Sequence, residues 1–579
     1  MPIQANIDKK RAERERLIDE GRKLIESHTH LSEDTKRRII KSTVTELVDG
    51  IEQGQWTALV CGCSKRGQEA RRRVSGDSQT ARRIPWCPLD FQRPMQATYR
   101  YDYTIGFTHW VDNQASRDAE LVAQARSLGA IIIAKTNVPQ TMMGFECANP
   151  LWGITTNPFN KDYTCGGSSG GEAAVLRFSG SALGLGSDIG GSLRIPTSYC
   201  GIYSLKPTSM RMSGQGAPGT VPGFLGIQTT YGPMARSAAD IKRACELLFG
   251  LPSTSPSANL PPVKYRTDLD LNRAMRVGYF KSDRFIRASP PCQRAVEESI
   301  AALRREGHEC LEINPPDVAD LLKLFVEHTA ADGYETMMSN LQSDKQEPAL
   351  FLVTLGPRLP WFIRAITSLL AKLFINDETF AYIFPASRPR SVREFWASSA
   401  ARIKANEYLQ DYLWANMAPA LGLDVVICPV QAVPCVPHTA TKSLSPLAGE
   451  TIIWNVIDCP VGIVPVTRVD PARDATGPDW LEKGKTEGPV MTGNLEVPQN
   501  RKPSNLLEGA VYGSGKRLLQ PLDEPVPVYD AEKMRGLPVG VQIVGRPWED
   551  EKIIHVMEIL DRALGERGFG PGMDEEWKL

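Results

Sequence analysis

The run Ala130-Ile131-Ile132-Ile133-Ala134 narrows the folds open to this chain more than any other stretch. It is too short for a helix, and its β-branched residues, stiff at χ1, suit a pleated strand. Gly129 and a helical pattern from Asp118 to Ser127 precede it. Similar runs occur at Val425-Val426-Ile427-Cys428, at Val461-Gly462-Ile463-Val464-Pro465-Val466, and at Val539-Gly540-Val541-Gln542-Ile543-Val544, the last followed by a helical pattern over 550–564. Strands apolar on both sides must be covered on both sides, so this alternation predicts an α/β protein with helices over a buried sheet. With 579 residues, 42% of them apolar, the chain can bury a large core. Lys and Arg number 67, as do Asp and Glu, so no net field favours nucleic acid as a partner.

Two segments break the pattern. Residues 1–60 read as N-terminal helices, with Thr43-x-x-Glu46 as a capping box ahead of Leu47, Val48 and Ile51. Residues 61–100 then form an anomalous basic segment without periodicity or the interleaved aromatics of a nucleic-acid reader. The rest, 101–579, reads as the core, interrupted at 471–527 by a polar, Gly/Pro-rich stretch expected to be a disordered insertion. The cysteines are scattered singly, and Cys61-Gly62-Cys63 has no second pair to complete a zinc site, so reduced core thiols are expected. The most apolar stretch, Leu352 to Asn376, is interrupted by Arg358, Arg364, Lys372 and two prolines. A buried or interfacial amphipathic helix fits it better than a transmembrane span. The N-terminus lacks the apolar core of a signal peptide, so a cytoplasmic location is expected, with peripheral membrane contact left open.

The chemistry is concentrated in Cys165-Gly166-Gly167-Ser168-Ser169-Gly170-Gly171-Glu172 and in Gly186-Ser187-Asp188-Ile189-Gly190-Gly191-Ser192-Leu193-Arg194-Ile195-Pro196. Runs without Cβ atoms let peptide N–H groups converge on a phosphate or on the oxyanion of an acyl-transfer intermediate. No Walker ending and no spaced G-x-G-x-x-G accompanies them, which disfavours phosphate. Acyl transfer needs a nucleophile beside the donors, and Ser192 follows Gly190-Gly191 directly. Gly166-Gly167-Ser168-Ser169-Gly170 also fits the G-x-S-x-G elbow of α/β-hydrolases, which would make Ser168 the nucleophile of an esterase with His438 or His555 as base. That elbow needs a preceding strand, and Asn157-Pro158-Phe159-Asn160-Lys161-Asp162 reads as loop.

From about Gly129 to Thr208 the chain closely resembles the amidase signature family, with the fungal acetamidase-type members nearest and fatty-acid amide hydrolases similar. Ala130 to Asn137 resembles the family's strand and Lys-Thr-Asn turn, Gly166 to Gly171 its Gly-Gly-Ser-Ser-Gly-Gly loop, and Asp188 to Ser192 its nucleophile loop. Gly536 to Gly545 resembles its last core strand. The resemblance implies a single large α/β domain with a mixed central sheet covered by helices. It implies an amidase that cleaves a small-molecule carboxylic acid amide to the acid and ammonia or an amine, without metal or cofactor, and leaves room for a homodimer. Ser192 would be the nucleophile, and Ser168, after a cis peptide, would relay its proton with support from Ser169. Backbone N–H groups around Ile189, Gly190, Gly191 and Ser192 would form the oxyanion hole, and Met142 would touch substrate.

One part of the family pattern is missing. The family's base is a neutral lysine in Gly-x-Pro-x-x-x-Lys-Asp, and its spacing puts that lysine at position 93, where this chain has Arg93. Arginine stays protonated, with a pKa above about 12, and cannot be the base. Lys135 resembles the family's other, non-catalytic lysine. Codons for Pro85 through Gln96, read one nucleotide later, permit His-Gly-Val-Pro-Leu-Ile-Ser-Lys-Asp-Gln-Cys-Lys, which restores the motif. A frame error across residues 61–100 accounts for both the basic anomaly and the missing lysine. As written, the chain is expected to be a catalytically impaired amidase or a binding protein that keeps the pocket.

Overall fold

The computed structural model describes residues 2–28, 38, 42–43, 46–47, 88–92, 101–256, 260–416, 420–477, 480, 505–513 and 527–570. A ten-stranded sheet runs through it in the order β2-β1-β5-β7-β6-β11-β12-β10-β8-β9. The strands are β1 (Pro88–Gln92), β2 (Ile131–Thr136), β5 (Leu183–Asp188), β6 (Tyr203–Lys206), β7 (Thr230–Ala235), β8 (Arg276–Tyr279), β9 (Glu309–Glu312), β10 (Val425–Pro429), β11 (Val461–Arg468) and β12 (Pro538–Gly545). A small hairpin, β3 (Ala148–Asn149) and β4 (Gly153–Ile154), lies apart. The sheet is mixed. β1 is parallel to β2 and β5, β8 to β9 and β10, while the middle of the sheet, β5 through β12, pairs antiparallel.

The central apolar runs form the expected strands because both faces are covered. On β12, Gly540 and Gly545 are five residues apart and so lie on opposite faces of the pleat. A Cβ on Gly540 would stand 3.3 Å from Ser198 of the helix Arg194–Cys200, and one on Gly545 would stand 2.3 Å from Ile553 of the helix Asp550–Leu564. Absent side chains thus let helices close on the sheet from both sides. The run at 130–134 behaves differently: β2 is the outermost strand, and only Ile131 and Thr136 are buried while Ile133 and Ala134 are exposed. A β-branched run signalled a strand, but lateral position in the sheet decided its burial.

The N-terminal helix Pro2–His28 is held by Lys10, which pairs with Asp102 at 2.8 Å and Asp112 at 3.0 Å. The capping box forms: Thr43 N donates to Glu46 Oε2 at 2.8 Å and Glu46 N to Thr43 Oγ1 at 3.2 Å. Leu47 is buried; Val48 and Ile51 lie outside the described residues. Both anomalous segments contribute structure. The basic one supplies β1, seated between β2 and β5, although Cys61, Cys63 and Arg93 lie outside the described residues. The polar one supplies the helix Asn505–Tyr512, whose Val511 is fully buried. Periodicity missed a helix only eight residues long. Nine cysteines among the described residues are free thiols, and all of these but Cys310 are buried.

The apolar stretch at 352–376 folds as two helices, Phe351–Arg358 and Trp361–Leu370, bent sharply against each other. Burial, one of its two expected fates, is overturned: Trp361 and Phe374 are each 75% exposed, and Leu369 and Leu373 are exposed beside them. Among the described residues no single helix is long and apolar enough to cross a membrane.

Candidate active site

The Gly-Ser loop sits where the chain enters the short helix Gly170–Arg177. The Gly167–Ser168 peptide is cis, as the resemblance implies. The glycines serve close packing of chain on chain more than access for a ligand. A Cβ on Gly171 would lie 2.4 Å from Asn137 N, so this turn closes against the end of β2 only without a side chain. Glu172 ties the same helix to the sheet, accepting from Thr136 Oγ1 at 2.6 Å and from Leu185 N at 3.0 Å.

The second loop leaves β5 at Asp188. This carboxylate, fully buried, accepts from Gly191 N at 2.8 Å, from Leu193 N at 3.1 Å and from Asn455 Nδ2 at 2.9 Å. Arg194 grips it with Nε at 3.0 Å and Nη2 at 2.9 Å, and spends its remaining donors on Thr451 O, Gln542 Oε1 and Asn455 Oδ1. Burial alone would raise the Asp188 carboxyl, but the charge and hydrogen bonds of Arg194, with help from Lys206 and Asn455, hold it at about 2. The loop is therefore wound around a buried carboxylate. Asp188 and Arg194 carried no role in the sequence reading; their one signal was a charged pair six residues apart in a glycine and apolar stretch. Their partners at 451, 455 and 542 are too distant in sequence to have been inferred.

The two loops touch. Ser169 N donates to Ser192 O at 3.1 Å, and Ser169 Oγ lies 3.3 Å from Ser187 O and 3.4 Å from Ser187 N. Ser168 and Ser192 line one cavity that opens to solvent. From 181 to 200, Ile189, Gly190 and Ser192 are the residues at the cavity that remain half-buried while their neighbours are buried. Gly191 N–H is engaged by Asp188, whereas among the described residues those of Gly190 and Ser192 donate to no protein acceptor. A second space meets the first at Ser192, Ile189 and Met142. Its walls are apolar, with Phe285, Phe325, Leu352, Phe380 and Ile452 among them, and Leu507 from the unanticipated helix closes one side. Met142 borders both spaces in a left-handed conformation, φ 63°.

The other candidate bases lie elsewhere. His438 is held between Glu146 Oε1 and Lys161 O, each at 3.1 Å, and neither His438 nor His555 lines either space. Lys135 donates to Asp102 O at 2.9 Å, next to Thr136 and so on the opposite face of β2 from Glu172. β1 runs parallel to β5 and pairs Phe91 with Leu185, so its carboxyl end at Gln92 emerges at the edge of the sheet where the Asp188 loop begins. Position 93 follows directly, outside the described residues.

This geometry agrees with comparisons to known proteins. The chain is 30% identical over 473 residues to "Fatty-acid amide hydrolase 1" of Sus scrofa, covering 80% of this chain and 73% of that protein. It is likewise 30% identical to "Amidase 1" of Gibberella moniliformis, covering 80% of this chain and 77% of the relative. A solved structure described as "Fatty acid amide hydrolase" superposes with a TM-score of 0.73 at 21% identity, covering 94% of this chain and 88% of that one. The Amidase family profile matches residues 96–554, beginning within the last residues of the anomalous segment, and the chain accordingly belongs to the amidase family, the amidase-signature hydrolases of amide C–N bonds.

Proposed function

We propose that this chain is built to cleave a carboxylic acid amide through a serine acyl-enzyme, with Ser192 as nucleophile and Ser168 as proton relay. The observation that carries this reading is the contact of the two serine loops at Ser169 N and Ser192 O beside a shared cavity. Ser192 Oγ adds to the amide carbonyl carbon while its proton passes to Ser168 and on to the leaving nitrogen. Free amides of Ile189, Gly190 and Ser192 stabilise the oxyanion, while Ser169 braces the relay loop. Such a donor is worth about 10²–10³ in rate. The C–N bond then breaks, the amine or ammonia departs, and water hydrolyses the ester on Ser192. A relay hydroxyl needs a base behind it, and Arg93 cannot accept a proton, so the chain as written turns over slowly.

Two features favour an amide with a long apolar acyl chain. The space that reaches Ser192 is lined mainly by apolar side chains, with Met142 at its junction. Leu352 and Val353 of its wall belong to the helix that precedes the exposed Trp361–Leu370, so the cavity lies beside an apolar surface. From 351 to 375 that surface carries Arg358, Arg364 and Lys372 and no acidic residue, a composition suited to lying on an anionic lipid interface. The full chain is expected to co-sediment with vesicles containing phosphatidylserine. A Trp361→Ser, Phe374→Ser double variant should lose at least about tenfold in partitioning, in line with the apolar area withdrawn from lipid. Equal sedimentation of both would remove the interface from this reading.

A catalytically impaired homologue that only binds its ligand is the second reading, favoured by Arg93 alone. Exposure to an alkyl fluorophosphonate followed by peptide mass spectrometry separates the possibilities. Label on Ser192, absent from Ser192→Ala, is the expected result. Label confined to Ser168 would favour an esterase elbow, and saturable ligand binding without any label would favour the binding protein.

A further inference from the structure

The peptide unit joining Gly190 and Gly191 is held at both ends by side chains. Its N–H is taken by Asp188 Oδ1 at 2.8 Å, and its C=O lies 2.7 Å from Thr451 Oγ1. We infer that Thr451 is a positioning residue for the proposed reaction, clamping this peptide so that the amides on either side of it, Gly190 N–H and Ser192 N–H, are presented to an oxyanion.

The reasoning starts from backbone geometry. Each peptide unit is a rigid plane, so fixing the 190–191 plane at its oxygen and its nitrogen removes rotation about both flanking Cα atoms. Gly190 and Gly191 have no Cβ to restrain those rotations, which makes an external restraint necessary. Thr451 stands in the helix Gly449–Val456, itself anchored by Asn455 to Asp188 and by Thr451 O to Arg194. Both halves of the clamp therefore belong to one buried network. The hydroxyl also lies 2.8 Å from Ala448 O, but that carbonyl caps the helix and accepts its first internal bond. Gly190 O has no other protein donor among the described residues, so losing the hydroxyl would remove its side-chain restraint. The fit is close: a Cβ on Gly191, whose φ is +124°, would stand 2.2 Å from Thr451 Oγ1.

Since this role rests on Ser192 being the nucleophile, the experiment must separate the two. The probe is a long-chain alkyl trifluoromethyl ketone, with the alcohol of equal chain length as control. On binding the ketone, a bond forms from Ser192 Oγ to the carbonyl carbon, the C=O π pair becomes an alkoxide lone pair, and the serine proton leaves through Ser168 to solvent. Affinity for ketone relative to alcohol thus reads oxyanion stabilisation without requiring turnover. Thr451→Val is expected to lower that ratio about 10–100-fold with alcohol affinity unchanged. Thr451→Ser, which keeps the hydroxyl, should restore it to within about threefold. Thr451→Ala serves in the same way should the valine chain fail to fold. An unchanged ratio in a folded variant lacking the hydroxyl, with the native chain still preferring the ketone and Ser192→Ala not, overturns the clamp alone. A native chain that prefers neither ligand, or Ser192→Ala binding the ketone as tightly, overturns the Ser192 reading and the clamp together.

Discussion

Replacing residues 85–96 with His-Gly-Val-Pro-Leu-Ile-Ser-Lys-Asp-Gln-Cys-Lys should raise amide turnover about 10²–10⁴-fold, the usual contribution of a positioned general base. The prediction follows from topology as well as codons. β1 lies between β2 and β5, and its carboxyl end emerges beside the loop that carries Ser192. A lysine whose charge is destabilised by burial can act as a neutral base, whereas an arginine keeps its proton. The check is hydrolysis of short and long primary amides by the two proteins at equal folded concentration. Equal rates would refute the lysine that this replacement places at position 92 as the base, and a transcript that encodes Gln92-Arg93 as written would refute the frame error.

Asp188→Ala should destabilise the fold by about 3–5 kcal/mol, because it leaves the Arg194 guanidinium buried without its counter-charge. Both side chains are fully buried, and the carboxylate also organises the amides of Gly191 and Leu193. Urea unfolding followed by fluorescence measures the loss, and a change below about 1 kcal/mol would show that Asn455, Gln542 and Thr451 suffice to hold the arginine. The pH dependence has a definite sign. Asp188 is held below its ordinary 3.8 at about 2, so its contribution is complete above about pH 4 and is lost as pH falls through 2. Acid unfolding of Asp188→Ala should lack that component.

Much of the fold could be read from local chemistry. The apolar runs at 425–428, 461–466 and 539–544 form buried strands, and the 550–564 pattern forms a helix with those bounds. The cis peptide before Ser168 follows what the resemblance implies, and the two glycine-serine loops, each contiguous in sequence, border one cavity. The exposed face at 361–374 was harder, since an apolar helix in a core and one at an interface share the same periodicity. The helix at 505–512 was hidden because it is short and draws its stability from packing Leu507 and Val511 rather than from its own propensity.

The division has a physical basis. Sequence by itself determined the class of fold, because strand stiffness and helical period act over a few neighbouring residues, and the resemblance carried by its glycine-serine loops gave the family. Tertiary structure alone decided that Asp188 and Arg194 wind the nucleophile loop, that Thr451 meets Gly190, and that an apolar space reaches Ser192. The contacts from Gly190 to Thr451 and from Asp188 to Asn455 join residues more than 250 positions apart in sequence, and only packing brings them together.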